Sequence, residues 1–210
     1  LILVWGSFVG RPVHEGVVGC ADPLSLLAWE RVAEAGIVIA VIGLLARHLR
    51  WPVGELGLRR PGRGEVVLGI AAVALIPIPS LYVGAILAEP FFGPMDLDLS
   101  RPLAIVPAVT LAVANGTMEE LAYRGALMTW MSRAVTPLVG LLGQAVVFGA
   151  AHTGSDYTGS ALPVVLTIAA AGLLAGLIVR RTGSLWLPIL VHIAFDVPLY
   201  YAVACRLPQS

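Results

Sequence analysis

Met118-Glu119-Glu120-Leu121-Ala122-Tyr123-Arg124 places three charged side chains inside a long apolar run. At the centre of a bilayer such a side chain costs at least about 2.5–3.5 kcal/mol on insertion scales, and most that occur there serve a function. Glu120 and Arg124 are four residues apart, so on a helix they share a face and relieve one another's burial. Glu119 is turned by about 100° from Glu120 and is left over. A carboxylate without a cation in low dielectric is suited to exchanging a proton near neutrality, as a general base must. A buried staple between helices accounts equally well for Glu120 and Arg124. It does not account for Glu119.

Two histidines complete the set. Phe148-Gly149-Ala150-Ala151-His152 closes one apolar stretch, and His192-Ile193-Ala194-Phe195-Asp196 lies within another. Histidine in a membrane helix is often only hydrogen-bonded to a neighbouring carbonyl, so depth decides whether these sites converge. At about 1.5 Å per residue, Glu119 and His152 stand some 20 and 24 Å from the turn near Arg133, so an antiparallel hairpin sets them level. His192 is only about 12 Å past the turn at Thr182-Gly183, so helix tilt or a deeper turn must absorb the difference. His192 and Asp196 are again four apart, which lets the carboxylate orient the imidazole.

These residues need an apolar scaffold, and the composition supplies one. The chain has 210 residues, 58% hydrophobic and 12% charged, with a mean hydropathy of +0.89. Soluble domains carry about 25% charged residues. The expected fold is all-α: one multi-pass transmembrane bundle of about six spanning helices with an N-terminal amphipathic segment, a single domain over residues 1–210 with its catalytic core at about 103–204. The spans are expected at Glu34–Leu49 (with Pro23–Arg31 interfacial or extending it), Val66–Ala88, Pro102–Ser132, Thr136–His152, Ala161–Val179 and Ser184–Ala204. Pro77 and Pro79 predict a kink or break within the second. Gly172-x-x-x-Gly176, Gly140, Gly143 and Gly149 allow close helix approach.

Arg47, Arg50, Arg59, Arg60 and Arg63 crowd the first loop, Arg133 marks the third, and Arg180 with Arg181 the fifth. The even loops lack this excess, which puts the odd loops in the cytoplasm. Net charge is +0 and the pI about 7.1, so no nucleic-acid partner is expected. All thirteen basic residues are Arg, which suggests a GC-rich prokaryotic source. Leu1–Gly10 is too short to span and no basic stretch precedes it, so no cleavable signal peptide is expected. Val17-Val18-Gly19-Cys20 is only faintly like a lipoprotein box, and the missing initial Met suggests a non-standard start or an absent N-terminus. Cys20 and Cys205 make neither a metal spacing nor a disulfide framework.

Taken in order, the three motifs resemble those of the CAAX-protease and bacteriocin-processing family of intramembrane endopeptidases: Glu-Glu-x-x-x-Arg, Phe-x-x-x-His and His-x-x-x-Asn or Asp on successive helices. Here they are Glu119-Glu120 to Arg124, Phe148 to His152 and His192 to Asp196, with Thr182-Gly183-Ser184-Leu185-Trp186 leading into the last. The resemblance covers about Gly116 to Pro198. It implies hydrolysis of a peptide bond in a membrane-associated peptide or protein, with the lipid bilayer as surroundings. Glu119 is then the general base, His152 helps to activate the water, His192 and Asp196 stabilise the oxyanion, and Glu120 with Arg124 braces the site. Asp196 stands where Asn is more usual, so it is expected to act through His192. Glu119, His152 and His192 could also hold a catalytic zinc with water as fourth ligand, though the reading leans towards no obligatory metal. The main rival is a non-proteolytic immunity or regulatory partner protein with the same bundle. A proton-coupled transporter predicts paired half-bundles, and no such repeat is present in the sequence.

Overall fold

The computed structural model describes residues 26–92, 105–153 and 161–204. The lipoprotein-like box, both cysteines and nearly all of the N-terminal segment lie outside the described residues. Every regular element within them is helical. Helix α1, Leu26–His48, is one continuous helix, so the segment before Glu34 extends the first apolar stretch rather than lying apart from it. Arg47 and His48 in its last turn complement the helix dipole. A short 3-10 turn, Val53–Leu56, follows.

Helix α2, Arg63–Leu75, starts where the Gly62 N–H donates to Glu65 Oε2 at 2.8 Å. Helix α3, Pro77–Phe92, is bent by 53° from α2. Pro77 has no N–H to continue the ladder, which is the break that the two prolines predict. Helix α4, Ile105–Glu120, runs through a π-helical segment, Leu121–Leu127, into α5, Met128–Ala134. The regular α-helix expected across this stretch is therefore interrupted: the Met128 N–H bonds to Tyr123 O, five residues back. Thr136 caps α6, Pro137–Ala151, by accepting from the Val139 N–H, with Pro at the start of the helix. Helices α7, Ala161–Thr182, and α8, Trp186–Ala204, complete the described fold.

Helix α8 lies against α4 on one side and against α2 and α3 on the other, while α1 packs along α4. Helix α6 packs between α5 and α7. The π segment touches both groups and joins them. Among the described residues one helix, Leu162–Thr182, is by length and composition able to cross a membrane, and the bent α2–α3 pair is a second if it counts as one span. The other expected spans are shorter or carry charge, as α1 does with Arg31, Glu34 and Arg47, so length and composition alone do not establish six.

The three arginine-rich loops meet at one end of the fold. The Leu185 N–H donates to Gly57 O at 2.9 Å. Arg59 reaches the Thr182 carbonyl and lies 3.1 Å from Glu65 Oε2. Arg133 pairs with Glu55 and stacks 5.2 Å over the Trp51 ring. The Thr129 hydroxyl donates to the Glu55 carbonyl at 3.1 Å. This clasp also resolves the depth of His192. A Cβ on Gly125 would lie 3.0 Å from the Leu56 carbonyl and 3.4 Å from Leu185 Cδ1, so α8 begins level with Gly125 and well short of the end of α5. Measured from that level, Glu119 and His192 are each about 9–11 Å deep. The deeper turn, rather than tilt alone, supplies the match.

Gly57 sits at φ +73°, and a Cβ there would come within 2.8 Å of Leu185 Cγ. Gly57→Val is therefore expected to cost about 1–3 kcal/mol, read as a lower unfolding temperature of the detergent-solubilised protein. Gly36→Ala, where nothing lies within 4 Å, is expected to change stability by less than about 1 kcal/mol. Equal effects would mean that the clasp contributes nothing.

Candidate active site

The last turn of α4 carries Glu119 and Glu120 in two different environments. Glu120 is 2% exposed and its Oε1 lies 3.0 Å from Nη1 of Arg124, itself 1% exposed. The Arg124 guanidinium carbon stands 4.0 Å over the Phe148 ring. A Cβ on Gly172 would come within 3.2 Å of Arg124 Nη2 and 3.0 Å of Phe148 Cδ1, so α7 must present a bare backbone here. Carboxylate, aromatic face and glycine thus enclose one cation from three sides. Its Nε and Nη1 still lack a well-aligned hydrogen bond, although Nη1 is within ion-pair distance of Glu120.

Glu120 holds a second group. His192 Nδ1 lies 2.9 Å from Glu120 Oε1, and because a carboxylate only accepts, Nδ1 carries the proton. The imidazole is thereby oriented by Glu120. Asp196, assigned that task from its spacing, lies at 3.5 Å from the opposite nitrogen, Nε2. Asp196 Oδ2 accepts instead from Asn115 Nδ2 at 2.9 Å. On the other side His152 caps α6, with Nδ1 2.8 Å from the Phe148 carbonyl, which fixes that ring as an Nδ1–H donor.

Glu119 is what remains. Its Oε2 is 3.6 Å from His192 Nε2 and 3.9 Å from His152 Nε2. The oxygen is buried and has no hydrogen-bond partner. Separations of this size are too long for direct hydrogen bonds and within reach of one shared water. All six residues singled out in the sequence, Glu119, Glu120, Arg124, His152, His192 and Asp196, are therefore neighbours in space.

Two residues were missed. Asn115, buried and on the same face as Glu119 one turn earlier, ties Asp196 to α4. Gln144, fully buried, donates to the Gly172 carbonyl at 2.9 Å and pins α6 to α7 beneath the site. Each is a lone amide within an apolar run, a signal that could have singled it out.

The comparisons with known proteins bear on the same stretch. Residues 101–198 match the family model of the type II CAAX prenyl endopeptidase Rce1-like proteins. The segment is Rce1-like. No curated protein and no solved structure matches the chain. The resemblance read from the three motifs is thus matched by a family model over the stretch that carries them, a little under half of the chain. The Rce1-like segment contains α4 to α7 and the part of α8 that bears His192 and Asp196, while α1 to α3 lie outside it.

A zinc ion has to be tested against these donors. Among the described residues no group of three or more His, Cys, Asp or Glu side chains is arranged to hold a metal. His192 Nε2 lies 3.6 Å from Glu119 Oε2 and 3.5 Å from Asp196 Oδ2, while His152 Nε2 lies 3.9 Å from Glu119 Oε2. The donors as placed do not fit a zinc site.

Removing one partner of the buried pair strands the other. Glu120→Leu or Arg124→Leu alone is expected to destabilise the protein by about 3–5 kcal/mol, and the double substitution by much less than the sum. Chemical denaturation of the three variants in one detergent checks this, and strict additivity would show that the two side chains do not act as a pair.

Proposed function

We propose that the chain is an intramembrane endopeptidase of CAAX type that hydrolyses a peptide bond of a membrane-associated substrate with water activated by Glu119. The observation that carries this reading is the Glu119 carboxylate oxygen lying unpaired between two imidazole nitrogens, inside an apolar helical bundle.

In this mechanism a water sits between Glu119 and His152. Glu119 removes one of its protons while His152 Nε2 orients it, and the resulting hydroxide attacks the carbonyl carbon of the scissile bond. His192 keeps Nδ1–H on Glu120, and in its imidazolium form presents Nε2–H to the developing oxyanion. Asp196, held by Asn115, acts through His192, whose Nε2 it approaches at 3.5 Å. Glu119 then gives its proton to the leaving amine as the C–N bond breaks. Glu120 and Arg124 supply no proton. They keep His192 in place.

The surrounding helices are proposed to form a six-span bundle in a prokaryotic cell membrane, with the clasped arginine loops on the cytoplasmic side. The gathering of all three basic loops at one end supports that topology. Prenylated CAAX proteins, bacteriocin or pheromone precursors and other membrane peptides all fit a site of this kind.

Purified protein reconstituted with candidate substrates is expected to cleave a peptide bond. Glu119→Ala is expected to lower kcat by about 10²–10⁴-fold, and His152→Ala by about 10²-fold or more. Cleavage that survives both substitutions at the wild-type rate refutes the mechanism. Metal analysis of the same preparation is expected to find no stoichiometric zinc, and chelators to leave the rate unchanged. Loss of activity on chelation with recovery on added zinc would replace the glutamate-only mechanism by a metal-assisted one.

A further inference from the structure

The clasped end of the fold carries more positive charge than the packing of its loops uses. Glu55 and Glu65 are the acidic side chains there among the described residues, and each already has a cation, Arg133 and Arg59. Arg59 also reaches the Thr182 carbonyl, and a Cβ on Gly183 would lie 3.2 Å from its Nε. The Arg59–Arg60 pair of the first loop is thereby set beside the Arg180–Arg181 pair, more than a hundred positions further on. Arg60, Arg180 and Arg181 are exposed and have no acidic partner among the described residues. Gathering like charges without counter-ions costs free energy, so this arrangement favours an anion.

The same place holds a groove. Gly54, Glu55, Gly57, Thr129, Arg180 and Gly183 line it, and its volume is about 260 Å³. That is below the range of pockets for drug-sized ligands and leaves room for a phosphate with its neighbouring glycerol. The buried Arg124 contributes to the wall, and its Nε has no hydrogen-bond partner. Glu55 is the acid on the lining, and Arg133 offsets its charge.

The surroundings point to an anion that carries acyl chains. Trp130 follows Thr129 directly, Trp186 lies three residues after Gly183, and Leu58 follows Gly57; all three are exposed. Tryptophan is enriched at the level of lipid headgroups, and anionic headgroups draw in clustered arginines. A free ion would make no use of these apolar side chains.

We propose that this groove binds the phosphate of an anionic phospholipid, held by Arg180 in the field of Arg59, Arg60 and Arg181. The site goes beyond the endopeptidase reading and needs only the membrane topology proposed above. The plain alternative is a solvated basic cluster that does no more than orient the chain in the bilayer. Such a cluster would attract anionic lipid through every arginine at that end alike.

Thermal unfolding of the purified protein in a neutral detergent separates the two, with phosphatidylglycerol, phosphatidylcholine or inorganic phosphate added. Phosphatidylglycerol is expected to raise the unfolding temperature by about 5 °C, and the other two by less than about 1 °C. Arg180→Gln is expected to remove about half of that rise or more, because a fork of charged N–H donors is lost from the phosphate. Arg47→Gln removes an equal charge at the same end from a residue outside the groove lining, and is expected to keep the rise within about 1 °C of the wild type. Each rise is read against the same variant without lipid, so a change in the variant's own stability does not enter. No rise with phosphatidylglycerol, or an equal rise with phosphatidylcholine or with inorganic phosphate alone, overturns the proposal. So does an undiminished rise in Arg180→Gln, or an equal loss in both variants.

Discussion

Burying one arginine organises this fold. A guanidinium that is almost wholly removed from solvent has to be surrounded, and the partners of Arg124 come from separate parts of the chain: the Glu120 carboxylate from α4, the Phe148 ring from α6 and the bare backbone at Gly172 from α7. Because Glu120 also holds His192, α8 is drawn into the same arrangement. Cation–π contact and a charged hydrogen bond are strong when desolvated, so four helices are tied together where apolar packing alone would let them slide. Glu119 is left without a cation of its own because its neighbour has taken Arg124. A structural pair and a carboxylate oxygen without a hydrogen-bond partner thus arise from adjacent residues of one sequence motif.

The polar residues also show how a carboxylate can stand where an amide is more usual. Asp196 would be a poor neighbour for developing negative charge. Asn115 ties its Oδ2 from the opposite helix, and His192 lies between it and Glu119. The turn of α4 that provides Asn115 also provides Gly116, which brings α4 close enough for its backbone to pass against His192 Cβ, about 3.4 Å from an added methyl. Close approach of backbones and exact placement of an amide are one property of this helix crossing.

Much of this was legible in the sequence because membrane burial makes charge conspicuous. The three motifs, the break at Pro77 and the helix end near Ala151 follow from apolar runs and from residues that interrupt them. The choice of Glu120 as the partner of His192 was not legible, since spacing within a helix finds only neighbours in the same helix and pointed to Asp196. Nor was the recessed start of α8, which depends on contacts between Leu185 and Gly57, residues more than a hundred positions apart. Asn115 and Gln144 passed unnoticed because neutral amides disturb a hydropathy pattern far less than charges do. The number of spans stays with the proposal, since the charged residues that build the site are the ones that blur its helices as membrane segments.

The π-helical segment has a consequence for how this chain can change. A single extra residue in a helix is what generates such a widened turn, and here it lies between the carboxylates and the arginine loop clasp. Deleting Gly125 or Ala126 would let the helix relax to a regular pitch and rotate α4 relative to α5 by about 100°. Glu119 and Asn115 would then swing away from the histidines while every residue of the three motifs stayed in the sequence. Length at this one stretch sets the arrangement of these side chains as much as residue identity does, and a change of one residue that is harmless in a surface loop would separate them here.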